Sequence, residues 1–163
     1  MPAGAWPGGD PILQHWYWRW KTKRLAVRGD GAIPFARLAV PLSGVRVALI
    51  TTAGVHRKDQ PPFDCETGDW SCRPLGADVL PEELTVTHTH YDTADALADP
   101  DVVFPLRRLH ELAADGIIGS VSPIHFGLMG YIPTWAPLVQ RTAPEMARTL
   151  RDAGVQAVVA SPG

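Results

Sequence analysis

Cysteine is scarce in this sequence: Cys65 and Cys72 are the two among 163 residues. Two thiols cannot build a disulfide scaffold, and a separation of seven positions is longer than the Cys-x-x-Cys of redox and zinc motifs. They are expected to be free thiols in a reducing compartment, because a bridge depends on side-chain approach and does not follow from spacing. No apolar run approaches the roughly 20 residues that span a bilayer. The first residues, with Asp10 and no apolar segment, lack a secretory pattern, so the expected location is the cytoplasm. Neither sign of charge dominates: 15 Lys and Arg against 17 Asp and Glu leave a formal net charge of -2. That balance gives no electrostatic pull toward nucleic acid or an anionic membrane. A phosphate-cradling glycine loop, a serine elbow and internal repeats are missing too, which removes positive support for nucleotide hydrolysis and acyl transfer.

Loop formers are plentiful, with 15 glycines and 16 prolines. Residues 1–44 carry them together with Trp16, Tyr17, Trp18 and Trp20 and the basic group Arg19, Lys21, Lys23 and Arg24, without a sustained helical or strand period. This segment reads as an arm that packs on its own domain or on a partner, ahead of an α/β domain over residues 45–163. In that domain VRVALITT, from Val45 to Thr52, is the near-continuous β-branched run of a strand covered on both faces. Val55 to Leu80 is rich in Pro, Gly and Asp and reads as a long excursion. Leu84 to His88 and Ile117 to Val121 are further strand candidates. Phe104 to Asp115 has the spacing of a helix, with Pro105 in its first turn and Gly116 as its stop. Thr142 and Glu145 have the spacing of a capping box for a second helix that ends at Gly154, and Val155 to Ala160 is the last strand.

Strand, loop, strand, helix, strand, helix, strand predicts a mostly parallel sheet with flanking helices in Rossmann-like layers. Ligands of such sheets bind beyond the carboxyl ends of the strands. Four segments are expected to meet there: Thr52 to His56, His88 to Asp92, Ser122 to His125, and Ser161 to Gly163. They hold four of the six histidines, whereas His15 falls in the arm and His110 in a helix. An imidazole exchanges protons near neutral pH or binds a metal, and equally well satisfies a loop carbonyl, so each role stays open for His56, His88, His90 and His125. Alternation along an extended strand aims His88 and His90 of HTHYD to one side, which suits two ligands of a divalent ion. Tyr91 and Asp92 instead suit hydrogen bonds to substrate or to a histidine.

Five stretches taken in order, VRVALITTAGVHRKDQPPFD, DWSCR, LTVTHTHYD, VFPLRRLHELAADGIIGSVSPIHFGLMGYI and AGVQAVVASPG, resemble the selenoprotein subunit of the glycine, sarcosine, betaine and D-proline reductases over about residues 41–163. The resemblance implies a reductive cleavage of a C–N bond in a small amine substrate. A selenolate is the nucleophile, a pyruvoyl group on a partner subunit holds the amine, and a thioredoxin-like or small selenoprotein carrier supplies electrons within an oligomer. It also implies a selenocysteine just after Ser161, Pro162 and Gly163, facing a pocket lined by Thr52, His56, His88, His90, Tyr91, Asp92, His125 and Ser161. The nucleophile is outside the chain, and Cys65 and Cys72 match no catalytic position of the family, so a redox role for them has little support.

A domain that stops on an apparently central strand reads as truncated, by an in-frame UGA codon taken as stop or by natural loss of the catalytic half. Two other readings remain open: a non-catalytic short homologue that binds or assembles partners through the arm, and a metal-dependent enzyme built on the His88/His90 pair.

Overall fold

Val45, Val47 and Leu49 alternate with Ala48 and Ile50, and that period of two gives the first strand, β1 (Arg46–Thr51), an apolar surface on each face. In a computed structural model that describes residues 36–162 and Trp16, β1 runs through the middle of a twisted, mostly parallel sheet. The chain divides into Met1–Arg37 and Leu38–Gly163, and the fold described is that of the second unit. The aromatic and basic cluster expected to form an arm lies outside the described residues apart from Trp16.

The excursion after β1 is not a plain loop. It contains β2 (Val55–Arg57) and β3 (Cys72–Gly76), both absent from the sequence expectation. β3 adds antiparallel to β6 (Ile124–Leu128) at one edge of the sheet. Pro74 is tolerated there because its carbonyl, bonded by the Gln60 amide at 2.8 Å, faces away from β6, so its missing N–H breaks no ladder bond. Arg73 ties the excursion down by donating to the Pro61 carbonyl at 2.9 Å and the Pro62 carbonyl at 3.2 Å while lying over the Phe63 ring. β4 (Leu84–Val86), expected in the main sheet, instead pairs antiparallel with β2 in a separate two-stranded sheet.

Three α-helices and the remaining strands follow β4 in the chain. α1 (Ala94–Ala98) follows the HTHYD stretch. α2 (Leu106–Ala114) starts after Pro105 and stops at Gly116, which has φ 70°. The strand expected at Ile117 to Val121 shrinks to β5 (Ser120–Val121), and the segment expected to be a loop at its end becomes β6. Arg46 lies opposite Ser120, yet Ile50 lies opposite Phe126, so the register slips by two residues at Ser122–Pro123 and one edge of β1 carries both strands in turn. The other edge takes β7 (Ala157–Ser161), parallel over its whole length.

α3 (Ala143–Asp152) continues from a π-helical turn at Leu138–Thr142. The capping box expected from Thr142 and Glu145 does not form: Thr142 has helical φ and ψ and its hydroxyl caps nothing, because the preceding turn already supplies helical carbonyls. Gly154, with φ 73°, ends the helix as expected. One face of β1 packs with Phe104, Leu106, Leu109 and Ile118, and the other with Met146 and Leu150 of α3. No helix among the described residues is long and apolar enough to cross a membrane.

Candidate functional site

The carboxyl ends of three parallel strands converge. Thr52, just past β1, donates its N–H to the Ser161 carbonyl of β7 at 3.0 Å, and Ala53 forms a bridge with Met129, just past β6. Gly54 then turns the chain with φ 78°, a left-handed value, where a Cβ would collide with the Thr87 carbonyl. In return the Thr87 N–H donates to the Gly54 carbonyl at 2.9 Å. That close crossing carries residues 88–91 onto the rim formed by Thr52, Met129 and Ser161.

Four rings are gathered there. The Tyr91 hydroxyl donates to the Ala53 carbonyl at 2.9 Å, and its ring lies 4.8 Å from that of His88. His88 meets His90 edge-on at 5.7 Å, and His90 stacks on Tyr131 at 4.2 Å and 25°. The His90 backbone N–H donates to His88 Nδ1 at 3.0 Å, an acceptor role that assigns the proton of the neutral ring to Nε2. Burial, and to a lesser degree the neighbouring His90, lowers the proton affinity of His88 below the usual histidine range, so the ring is neutral at pH 7. Burial raises the Tyr91 phenol above its ordinary value.

Other residues expected at the site stand elsewhere. His56 is buried in β2 with both nitrogens engaged, Nδ1 at 2.7 Å from the Arg57 carbonyl and Nε2 at 2.8 Å from the Thr87 hydroxyl. It fastens β2 to the segment after β4 and has no free atom to offer a ligand. His125 is fully buried inside β6, its ring edge against Phe104. Its Nδ1 accepts the Leu49 N–H at 2.9 Å, standing in for the backbone acceptor lost at the Ser122–Pro123 slip. Nε2 has no partner, and burial above all, followed by the nearby His110, pushes the pKa down to about 4. Asp92 is exposed and accepts the Ala94 N–H at 3.0 Å at the start of α1.

Cys65 sits in a turn where the Thr89 hydroxyl reaches its thiol, while Cys72 opens β3. Burial raises both thiols above the ordinary cysteine range, so neither is a thiolate at neutral pH. Among the described residues no group of three or more His, Cys, Asp or Glu side chains is arranged to hold a metal ion.

Gly130 and Tyr131 belong to the rim and went unforeseen. Their signal was present, since they follow an apolar run, but the strand was expected to end at Val121 and not at Leu128, which hid them behind a misplaced boundary.

Residues 21–162 match the family described as glycine/sarcosine/betaine reductase selenoprotein B. The gamma subunit of D-proline reductase from Acetoanaerobium sticklandii is 36% identical over 122 residues, covering 75% of this chain and 50% of that one. The beta subunit of betaine reductase complex component B from Peptoclostridium acidaminophilum is 30% identical over 122 residues, 72% of this chain and 28% of that one. The gamma subunit of glycine reductase complex component B from Symbiobacterium thermophilum is 29% identical over 122 residues, with the same shares. The chain thus spans half or less of the length of these relatives. No solved structure matches it. With the family match running through every strand of the described fold, the chain belongs to the glycine/sarcosine/betaine reductase selenoprotein B family.

Proposed function

We propose that this chain forms the scaffold of a cytoplasmic, selenocysteine-dependent reductase subunit that cleaves the C–N bond of D-proline, betaine, sarcosine, glycine or a similar amino acid. One observation carries the reading. β7 is held beside β1 by the Thr52 N–H to Ser161 carbonyl hydrogen bond of 3.0 Å, which sets its carboxyl end beside Thr52, close to where His88, His90, Tyr91 and Tyr131 are gathered. A selenocysteine just after Gly163 would enter at that rim. Its selenolate attacks the carbon that bears nitrogen, and the bonding pair leaves with the amine. The amine is held by the pyruvoyl group of a partner subunit, and a dithiol carrier supplies the two electrons that release the selenium.

A neutral His88 suits this chemistry because it adds no fixed charge that would bind the selenolate too tightly, yet offers an Nε2–H donor. The test starts with the codon after Gly163 and the reading frame beyond it. The chain is then expressed with selenocysteine inserted, combined with a pyruvoyl-containing subunit and supplied with a dithiol. Consumption of dithiol that depends on one of the four amino acids is expected. A UAA or UAG with no continuation, together with no turnover in the reconstituted mixture, would sink the proposal.

A further inference from the structure

β7 carries apolar side chains on both faces and leaves both uncovered. Its register with β1 puts Val158 opposite Ala48 and Val159 opposite Leu49, so Val158 is on the α3 side of the sheet and Val159 on the α2 side. The two valines are 44% and 47% exposed. Among the described strands β7 pairs with β1 alone, so its outer edge presents backbone N–H and C=O groups that meet no strand. A strand apolar on both faces has the pattern of the interior of a parallel sheet. Open edges are ordinarily blunted by charge or proline, and Ala157–Ser161 contains neither. Beside this edge α3, β1 and β7 enclose a groove of about 390 Å³, lined by Ile50, Met146, Leu150 and Val158 among others.

We infer that this edge and groove receive a strand and a helix from the half of the family subunit that this chain does not match. The D-proline reductase gamma subunit is matched over 50% of its own length, so as much polypeptide again belongs to that subunit without a counterpart in the described fold. Handedness decides which part goes where. The chain passes from β1 to β5 and β6 on one edge by way of α2, packed on the Val47 and Leu49 face. It then passes from β6 to β7 on the opposite edge by way of α3, packed on the Ala48 and Ile50 face. Opposite directions over opposite faces are what right-handed crossovers require, and a parallel strand added outside β7 continues the second direction. The helix leading to that strand therefore lies on the α3 side, over Val158 and in the groove. It runs alongside α3 in the same direction, and Ala143 and Ala147, exposed and one turn apart, let it approach closely. Its carboxyl-terminal end comes to the Arg151 end of the groove, where a cation favours the free carbonyls. A second copy of this chain fits less well, because its β7 would pair antiparallel across a two-fold axis while its α3 is already packed on its own Ala48 and Phe126. Docking at β7 follows from the family match and does not need the reductase chemistry.

The full 163-residue chain is purified alone and after co-expression with the half of the Acetoanaerobium sticklandii gamma subunit that it does not match. Alone, the outward-facing amides of β7 should exchange freely, and a soluble nitroxide should broaden the Val158 and Val159 methyl signals. With the half present the two polypeptides should copurify, and those amides and methyls should be protected. Val158→Lys and Ala147→Arg change exposed residues on the groove side, so each should leave the melting temperature of the chain unchanged and weaken the complex at least about a hundredfold. Leu97→Lys, at an exposed residue of α1, should leave both unchanged. Failure to copurify, protection of Val159 without Val158, or a complex indifferent to both groove substitutions overturns the docking. Protection already present in the chain alone also overturns it: a second copy covers the edge if dilution removes the protection, and Met1–Arg37 covers it if dilution does not. A complex at β7 that consumes no dithiol keeps the docking and counts against the reductase reading. A reconstituted reductase whose turnover is undiminished by Val158→Lys sinks the docking and leaves the reductase reading intact.

Discussion

Acidification should destabilise this fold through one residue, His125, whose ring is fully buried against Phe104 and Leu49. In the unfolded chain the ring titrates near 6.5, and in the fold burial has pushed it down to about 4. Above pH 6.5 both states hold a neutral ring and pH has no leverage through it. Between 6.5 and about 4 only the unfolded chain takes up the proton, so stability falls as pH falls, and below about 4 the loss is complete. The gap between the two values, at about 1.4 kcal/mol per pH unit, amounts to about 3 kcal/mol, a large part of the stability of a typical domain. Carboxylates elsewhere also contribute to acid denaturation, so the measurement needs a partner that cannot titrate at this position. His125→Phe serves, because it exchanges one orphaned donor for another: Nε2–H disappears and the Leu49 N–H loses its acceptor. Each orphan costs about 1–3 kcal/mol, so the variant should stay within about 2 kcal/mol of the parent at pH 7. Urea unfolding followed by tryptophan fluorescence at pH 7, 6, 5 and 4 gives the two slopes. The parent should lose about 3 kcal/mol more than the variant across that range. Equal slopes, or a native-state NMR titration of His125 near 6.5, would refute the burial argument.

Other changes test the close contacts and the cysteines. A Cβ at position 127 would run into the Val55 carbonyl where β2 crosses β6, so Gly127→Ala should destabilise by about 3 kcal/mol in thermal melts; a variant that melts with the parent would contradict that crossing. Thr142→Val keeps the buried volume and removes a hydroxyl that caps nothing, so its effect should stay below about 0.5 kcal/mol. A loss of about 1 kcal/mol or more would restore the capping box. Iodoacetamide should label Cys65 and Cys72 slowly at pH 7 and faster as pH rises, since burial holds both thiols protonated. Rapid labelling of Cys65 at pH 7 would reveal a thiolate that this environment does not explain.

β1, the two longer helices and β7 were legible because each is written in local terms. VRVALITT has no alternative reading as a surface element, and α2 and α3 carry their apolar periods and their glycine stops within a dozen residues. The HTHYD segment was also correctly read as lying near the carboxyl ends of the strands. β2 and β3 were not legible, because CRPLG contains a proline and a glycine and is held in the sheet by β6, some fifty residues away, rather than by its own pattern. The same limit explains β4, whose apolar content suits either sheet and whose partner is chosen by the turn at Gly54.

The sequence by itself determined the family, the class of fold and the set of histidines from which a site is drawn, since those follow from local periodicity and from motifs read in order. The tertiary structure decided which histidines remain available. A two-residue slip in register buried His125 as a substitute backbone acceptor, the pairing of β2 with β4 consumed both nitrogens of His56, and a single backbone N–H from His90 fixed the proton of His88. Those outcomes depend on contacts between segments far apart in the chain, and no local pattern of residues encodes which donor will find which acceptor.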